Sequence, residues 1–422
     1  MKNLSFLLLF LSTLSFAQNS IEQDIIDIED KLIEWRHHFH QNPELSNREF
    51  KTAEKIAKHL KSLGLEVETG IAKTGVVGIL KGDHSGKVVA LRADIDALPV
   101  TERNDLPFKS EVKTTFLNTE TGVMHACGHD THISILMATA EVLSKHKDKI
   151  NGTIKFIFQP AEEGPPPGEE GGAKLMIKEG VLENPQVDAI FGLHINSQTS
   201  VGTIKYKTGG IMASVERFVI NVKGKQTHGS QPWSGVDPIL ISAKIIDGLQ
   251  TIISRESKLT NEAAVITVGK ITAGTRFNII PESAEMIGTV RTLDPEMRAH
   301  IEKRMKEMVE TIAKAYGGEA TIAFQNNTSI TFNDPDLTAQ VLPSLQNVAG
   351  EENVQIMKAT TGGEDFSYFQ EKVPGVYFFL GGMTPGTEES FPHHTPDFKI
   401  DDSGMLLGVK AFTQLTLDYL NN

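Results

Sequence analysis

The chain has 422 residues, 39% of them apolar, a formal net charge of −13 and one cysteine. The negative charge excludes a partner bound through its phosphate backbone, so no nucleic acid is expected. A single cysteine excludes an internal disulfide framework.

In chain order, Lys2 precedes an apolar run from Leu4 to Phe16, and Ser15-Phe16-Ala17 offers small residues at a cleavage site. Residues 1–17 therefore read as a signal peptide cut near Ala17, and the run is too short to span a bilayer. The expectation is an exported protein, periplasmic or secreted, without a membrane anchor. Ile21, Ile25, Ile28, Leu32 and Phe39 then recur at helical spacing. A second helix is expected from about Arg48 to Leu63, with Phe50, Ala53, Ile56 and Leu60 on its buried face and Gly64 as its stop.

"GVVGILKG" and "KVVALRADID" read as strands, the second apolar enough from Val88 to Leu91 to be covered on both faces. A helix through Ile133, Leu136, Ala140 and Leu143 follows, then the strand "TIKFIFQ", the helix "AKLMIKEGVL" and the strand "AIFGL". This alternation predicts an α/β domain with a mainly parallel sheet covered by helices. From about residue 213 the order becomes β-α-β-β-α-β, a ferredoxin-like unit. The expected boundaries are 18–212 and 329–422 for the α/β domain and 213–328 for an inserted α+β domain. "NVQIMKA", "GVYFFLGG" and a last helix through Leu406 and Tyr419 return to the first domain.

Chemistry-bearing residues cluster after the strands, where ligands gather in open α/β sheets. Asp94 and Asp96 end one strand, Glu162 and Glu163 follow another, and His194 closes "AIFGLHI". In "MHACGHDTH" the lone Cys127 stands two residues before His129, across a glycine. Cys127 can be a buried hydrophobe, a thiol that bridges chains, or a ligand, and its neighbours favour the ligand. With Glu163, His194 and His394 in "FPHHTPDF" these form a five-donor set, more than one tetrahedral ion needs, which points to two ions. The adjacent carboxylates of "QPAEEG" leave their strand in different directions, so one can bind metal while the other acts as a base. His37 and His40 of "RHHFH" share a helix face but have no acid or thiol beside them and are not expected to bind metal.

These motifs, with "RHHFHQNPELS", "LRADIDALPV", "THGSQPWSGVDPI", "FNIIPESAEMIGTVR", "GGEDFSYF" and "HTPDF", run in order along the chain. Together they resemble the co-catalytic metallopeptidase superfamily, in its branch of aminoacylases, hippurate hydrolases and auxin–amino acid conjugate hydrolases. The resemblance implies two divalent ions (zinc, manganese, nickel or cobalt) with Cys127 as the bridging ligand and His129, Glu163, His194 and His394 completing the sites. It implies Glu162 as general base and Asp94 as support for the metal centre. Arg92 stands where much of the superfamily has a histidine ligand, so His129 is expected to supply that imidazole, and His393 is not expected to bind.

The same resemblance makes the insert a lid and dimerisation domain. It places His228 at the substrate carbonyl oxygen, across a homodimer, and Asn278 and Arg291 at the substrate carboxylate. "TGGEDF", with Gly363, would wall the pocket. The implied activity is metal-dependent hydrolysis of a small N-acyl or N-aroyl amino acid. A carboxypeptidase or dipeptidase acting on a short peptide is the alternative, and a non-catalytic metal-binding protein is a weaker one. "EEGPPPGEEGG", 162–172, reads as a loop shaping the substrate entrance.

Overall fold

In the computed structural model, residues 21–387 and 390–422 are described. The apolar run and cleavage site at 1–17 lie outside them. The chain divides into two compact units: Met1–Thr208, Asn333–Met357 and Tyr368–Asn422 form one, Gly209–Phe332 and Lys358–Ser367 the other.

The first unit is built on an eight-stranded sheet. Its order is Glu66–Ile71, Gly75–Lys81, Asn151–Gln159, His84–Asp94, Ala189–Ser200, Gly375–Met383, Ile204–Tyr206 and Val354–Ile356. The four central strands, from Asn151–Gln159 to Gly375–Met383, run parallel; Gly75–Lys81 and Ile204–Tyr206 join them antiparallel on either side, Glu66–Ile71 is antiparallel to the first of these and Val354–Ile356 parallel to the second. Val89, Ala90 and Leu91 are fully buried, as a strand covered on both faces requires. The helices Glu29–Gln41, Phe50–Ser62, His129–Ser144, Pro335–Ala349 and Met405–Asn421 share one apolar core with it.

Local differences from the sequence expectation have local causes. Phe50 opens its helix and is 61% exposed, leaving Ile56, Ala57 and Leu60 to carry the buried stripe. The helix expected through "AKLMIKEGVL" stops at Lys178, and Gly180 then adopts φ +83°. The strand begun by "AIFGL" continues to Ser200, and the one expected in "NVQIMKA" shrinks to Val354–Ile356.

The second unit has a four-stranded antiparallel sheet ordered Ala264–Ala273, Ser283–Thr292, Val215–Lys223, Glu319–Thr328. With the helices Pro238–Thr251 and Pro295–Ala315 this is the ferredoxin-like arrangement. Asp237 and Asp294 cap these helices, each followed by proline in the first turn. The segment Lys358–Ser367, which the sequence reading placed in the first domain, groups here instead. The Thr360 amide donates to Ile211 and the Ala213 amide donates to Thr360.

Candidate metal centre

Cys127 precedes Gly128, which has φ +90° and whose missing Cβ would fall 2.3 Å from Ile195 Cγ2. Only glycine meets both conditions. The helix His129–Ser144 starts immediately afterwards, so the thiol and the His129 ring leave the same tight turn.

His129 and His194 are each oriented by the nitrogen turned away from the cluster. His129 Nδ1 lies 2.8 Å from the Asp96 carbonyl, and His194 Nδ1 lies 2.6 Å from the Ile195 carbonyl. A carbonyl only accepts, so both rings carry a proton on Nδ1, and Nε2 is the nitrogen each turns toward the cluster. His194 Nε2 is 3.4 Å from Cys127 Sγ. His394, at φ +64°, brings its Nε2 to 3.2 Å from the same sulfur and 3.1 Å from Glu163 Oε1. His129 Nε2 lies 3.8 Å from Glu162 Oε2 and 4.0 Å from Glu163 Oε1.

Three imidazole nitrogens, a thiol and a carboxylate oxygen thus converge in two overlapping groups, Cys127–His129–His194 and Cys127–Glu163–His394. Buried His129 Nε2 has no hydrogen-bond partner, and Glu163 Oε1 has only the His394 ring close to it. Burial and then the carboxylates of Glu163, Glu162 and Asp94 push the Cys127 thiol well up. Burial alone would lower His129, yet Asp94, Asp96 and Glu163 push it up to about 10. Unpartnered inward-facing donors amid uncompensated negative charge are what divalent cations would satisfy, and the set fits two such ions sharing Cys127.

The surrounding shell contains residues that the motifs alone did not assign. His132 Nδ1 meets Asp94 Oδ1 at 2.6 Å, and its Nε2 accepts from the Ile195 amide at 2.8 Å. Asp94 also accepts from Arg92 Nη1 at 2.7 Å, while Arg92 Nε donates to Gln159 at 2.8 Å. Arg92 is therefore part of the buried support of Asp94. His393 uses Nδ1 toward the Cys127 carbonyl at 3.2 Å, and its Nε2 accepts from the Ser197 amide at 3.3 Å. His393 Nδ1 also lies 3.7 Å from Cys127 Sγ, farther than His394 Nε2 at 3.2 Å.

Asp130, next to His129, accepts from Arg36 Nε at 3.0 Å and from His40 Nδ1 at 2.8 Å. Burial opposes its charge, but the Arg36 guanidinium and His40 hold its carboxyl well below the usual range. His37 pairs with Asp402 at 2.7 Å and stacks on Phe108 at 3.6 Å. The "RHHFH" segment thus ties the opening helix to the helix that begins at His129.

In the second unit, His228 pairs with Ile279 on a two-residue ladder, and its Nδ1 accepts from the Ser230 amide at 3.1 Å. The Gly229 amide donates to the Asn278 carbonyl at 2.9 Å, so His228 and Asn278 share one turn region. Buried Asn278 Oδ1 has no hydrogen-bond partner. Arg291 Nη1 donates to the Thr361 carbonyl at 3.3 Å. A Cβ on Gly363 would meet Val215 Cγ2 at 2.3 Å, so this glycine permits close approach to the sheet.

The comparisons with known proteins agree with this chemistry. The sequence model of peptidase family M20/M25/M40 matches residues 90–418. A thermostable carboxypeptidase 2 from Saccharolobus solfataricus is 41% identical, over 95% of this chain and 98% of its own. An N-acetyl-L-cysteine deacetylase from Bacillus subtilis is 37% identical, over 93% and 89%. The crystal structure of a dinuclear metal-binding M20 peptidase from Bacillus subtilis superposes with a TM-score of 0.77 at 37% identity, covering 94% of this chain and 99% of the other.

Proposed function

The chain belongs to peptidase family M20/M25/M40 and is a hydrolase of amide bonds, and from that premise we propose that it cleaves N-acyl or N-aroyl amino acids to a carboxylic acid and a free amino acid. The convergence of His129, His194, His394, Cys127 and Glu163 beside Glu162 carries this reading.

Divalent cations bound there would supply Lewis acidity to the scissile carbonyl and make water more acidic. Cys127, His129, Glu163, His194 and His394 would hold them, Cys127 belonging to both groups. Glu162 takes the proton of the attacking water and returns it to the leaving nitrogen. His228 donates to the carbonyl oxygen as it gains charge, from the second subunit of a homodimer. Asn278 and Arg291 receive the substrate carboxylate, and Gly363 lines the pocket wall. Zinc, manganese, nickel and cobalt all suit a donor set of thiolate, imidazole and carboxylate.

The carboxypeptidase reading keeps the same machinery and changes only the acyl side. Its support is the 41% identity to a carboxypeptidase. A screen of metal-reconstituted protein against acetyl-, benzoyl- and long-chain-acyl amino acids and dipeptides, read as released amine, separates the two. Preference for dipeptides over every acyl amino acid would reverse the assignment.

Export is proposed from residues 1–17. No helix among the described residues is long and apolar enough to cross a membrane. N-terminal sequencing of protein collected outside the cytoplasm should begin at Gln18, and a retained Met1 would reject the cleavage.

A further inference from the structure

The turn that carries Glu162 and Glu163 is gripped by two carboxylates that belong to neither ligand group. Three successive amides donate to them. Ala161 N reaches Glu49 Oε1 at 2.9 Å, Glu162 N reaches Asp96 Oδ1 at 3.1 Å, and Glu163 N reaches Asp96 Oδ2 at 3.1 Å. Both acids are buried, Glu49 at 0% and Asp96 at 1% exposure. Each is itself fixed by a hydroxyl: Thr74 Oγ1 donates to Glu49 at 2.5 Å, and Ser46 Oγ donates to Asp96 at 2.6 Å.

The turn needs holding. Ala161 has φ +51°, a left-handed conformation unfavourable for a residue with a Cβ. Without an acceptor its amide would be left buried and unpaired, and the backbone would relax toward an ordinary conformation. Such a rotation re-aims the next two side chains. The grip continues downstream: Asn47 Nδ2 donates to the Glu170 carbonyl at 3.1 Å, and Arg48 Nη2 pairs with Glu169 at 2.5 Å. The segment "ELSNRE", 44–49, is therefore seated between the Asp94–Ala97 stretch and the whole Glu162–Glu170 loop. The Ala97 amide donating to the Glu44 carbonyl fixes its other side.

We propose that Glu49 and Asp96 are positioning residues that clamp the amides of Ala161, Glu162 and Glu163, and so set the divergence of the Glu162 and Glu163 carboxylates. The catalytic part of this inference rests on the function proposed above, but the clamp itself does not. Glu49 is the cleaner probe, because Asp96 also touches His129 through its carbonyl.

The test compares Glu49→Leu, which keeps bulk and loses the acceptor, with Glu49→Gln, which keeps an acceptor for the Ala161 amide and turns an NH2 toward Thr74, whose hydroxyl can accept instead of donate. Hydrogen exchange of the amides within 158–165 should rise about tenfold or more in Glu49→Leu and stay at the wild-type level in Glu49→Gln. Bound metal should be equal in both. Turnover should fall about 10–100-fold in Glu49→Leu with KM nearly unchanged, since small misplacements of a reacting group are costly, and Glu49→Gln should restore it. If Glu49→Leu fails to fold, Thr74→Val, which only frees the Glu49 carboxyl, should show the same pattern at smaller size. Unchanged exchange and turnover in folded Glu49→Leu, or in Thr74→Val where that stands in for it, would overturn the proposal. Should wild-type protein hydrolyse no amide substrate, the functional reading falls, while the exchange comparison still decides the clamp.

Discussion

His132 donates its Nδ1 proton to Asp94 across 2.6 Å while its Nε2 accepts the Ile195 amide at 2.8 Å. The ring is therefore neutral and has no lone pair left for a cation, although it stands beside His129 and Asp94 in a cluster of suitable donors. Asp94 faces two buried donors, His132 and Arg92. Asp94→Asn removes the negative charge opposite the Arg92 guanidinium. Breaking a buried pair in this way costs about 3–5 kcal/mol, and loosening this shell should cost about 10–100-fold in metal affinity. Denaturant titration and metal-competition assays measure these two effects separately.

Glu162→Gln should keep fold and bound metal yet lose turnover by about 10²–10⁴-fold, the usual contribution of a positioned acid–base group. Metal content and steady-state rates on the best substrate decide it. Retention of more than about half the activity would remove Glu162 from the base role.

Cys127 should resist alkylation in metal-loaded protein and react after chelation. A thiolate shared by two ions is shielded by them. Mass spectrometry of protein labelled in the two states reads the difference, and equal labelling would return Cys127 to the class of buried hydrophobes.

His228 lies in the second compact unit, and its role across a dimer can be tested without locating it. Glu162→Gln and His228→Ala are each expected to be inactive. Mixed under conditions of subunit exchange, they should regain activity, because some heterodimers hold one intact combination. No recovery, with exchange shown independently, would confine His228 to its own chain or to no catalytic part.

Glu49 makes the stability of the protein depend on pH in an unusual direction. Burial and then the neighbouring Asp96 push its carboxyl up to about 7 from an unfolded value of 4.5. Between those values the folded state binds the extra proton, so stability falls as pH rises. Glu49→Gln mimics the protonated form. It should stabilise the protein at pH 8, by on the order of 1–3 kcal/mol, and give little gain at pH 4.5. Denaturant midpoints at the two pH values test this, and an equal gain at both would show that the charge on Glu49 is not the cause.

Part of the candidate centre was legible from local sequence: Cys127 and His129 flank Gly128, which forces a turn, and Glu163 follows the strand that ends at Gln159, whereas His194, expected at a strand end, lies in the middle of Ala189–Ser200. The shell was not. Nothing in the spacing of "RHHFH" announces that Arg36 and His40 will meet Asp130, since the pairing spans 94 residues for Arg36 and is fixed only by tertiary packing. The clamp by Glu49 is equally remote from Ala161, 112 residues on. Periodicity also misplaced Phe50, because a helix's first residue can keep the stripe's phase and still lie beyond what covers it. The grouping of Lys358–Ser367 with the second unit rests on backbone bonds to Ile211 and Ala213 that no side-chain pattern encodes.

The pairing of buried Arg36 with both Asp130 and Asp402 has a temporal meaning. One guanidinium from the helix Glu29–Gln41 joins the residue beside His129 to Asp402, which lies 366 positions after Arg36. The ligands proposed above end with His394, close to the last helix. A ribosome-bound chain, even one that has already made Cys127 and His129, lacks the donors and the anchoring that arrive last. With the ligand set proposed above, full cation capture would be an event of the finished chain, and the compartment in which folding is completed would be the one whose metal supply the enzyme samples.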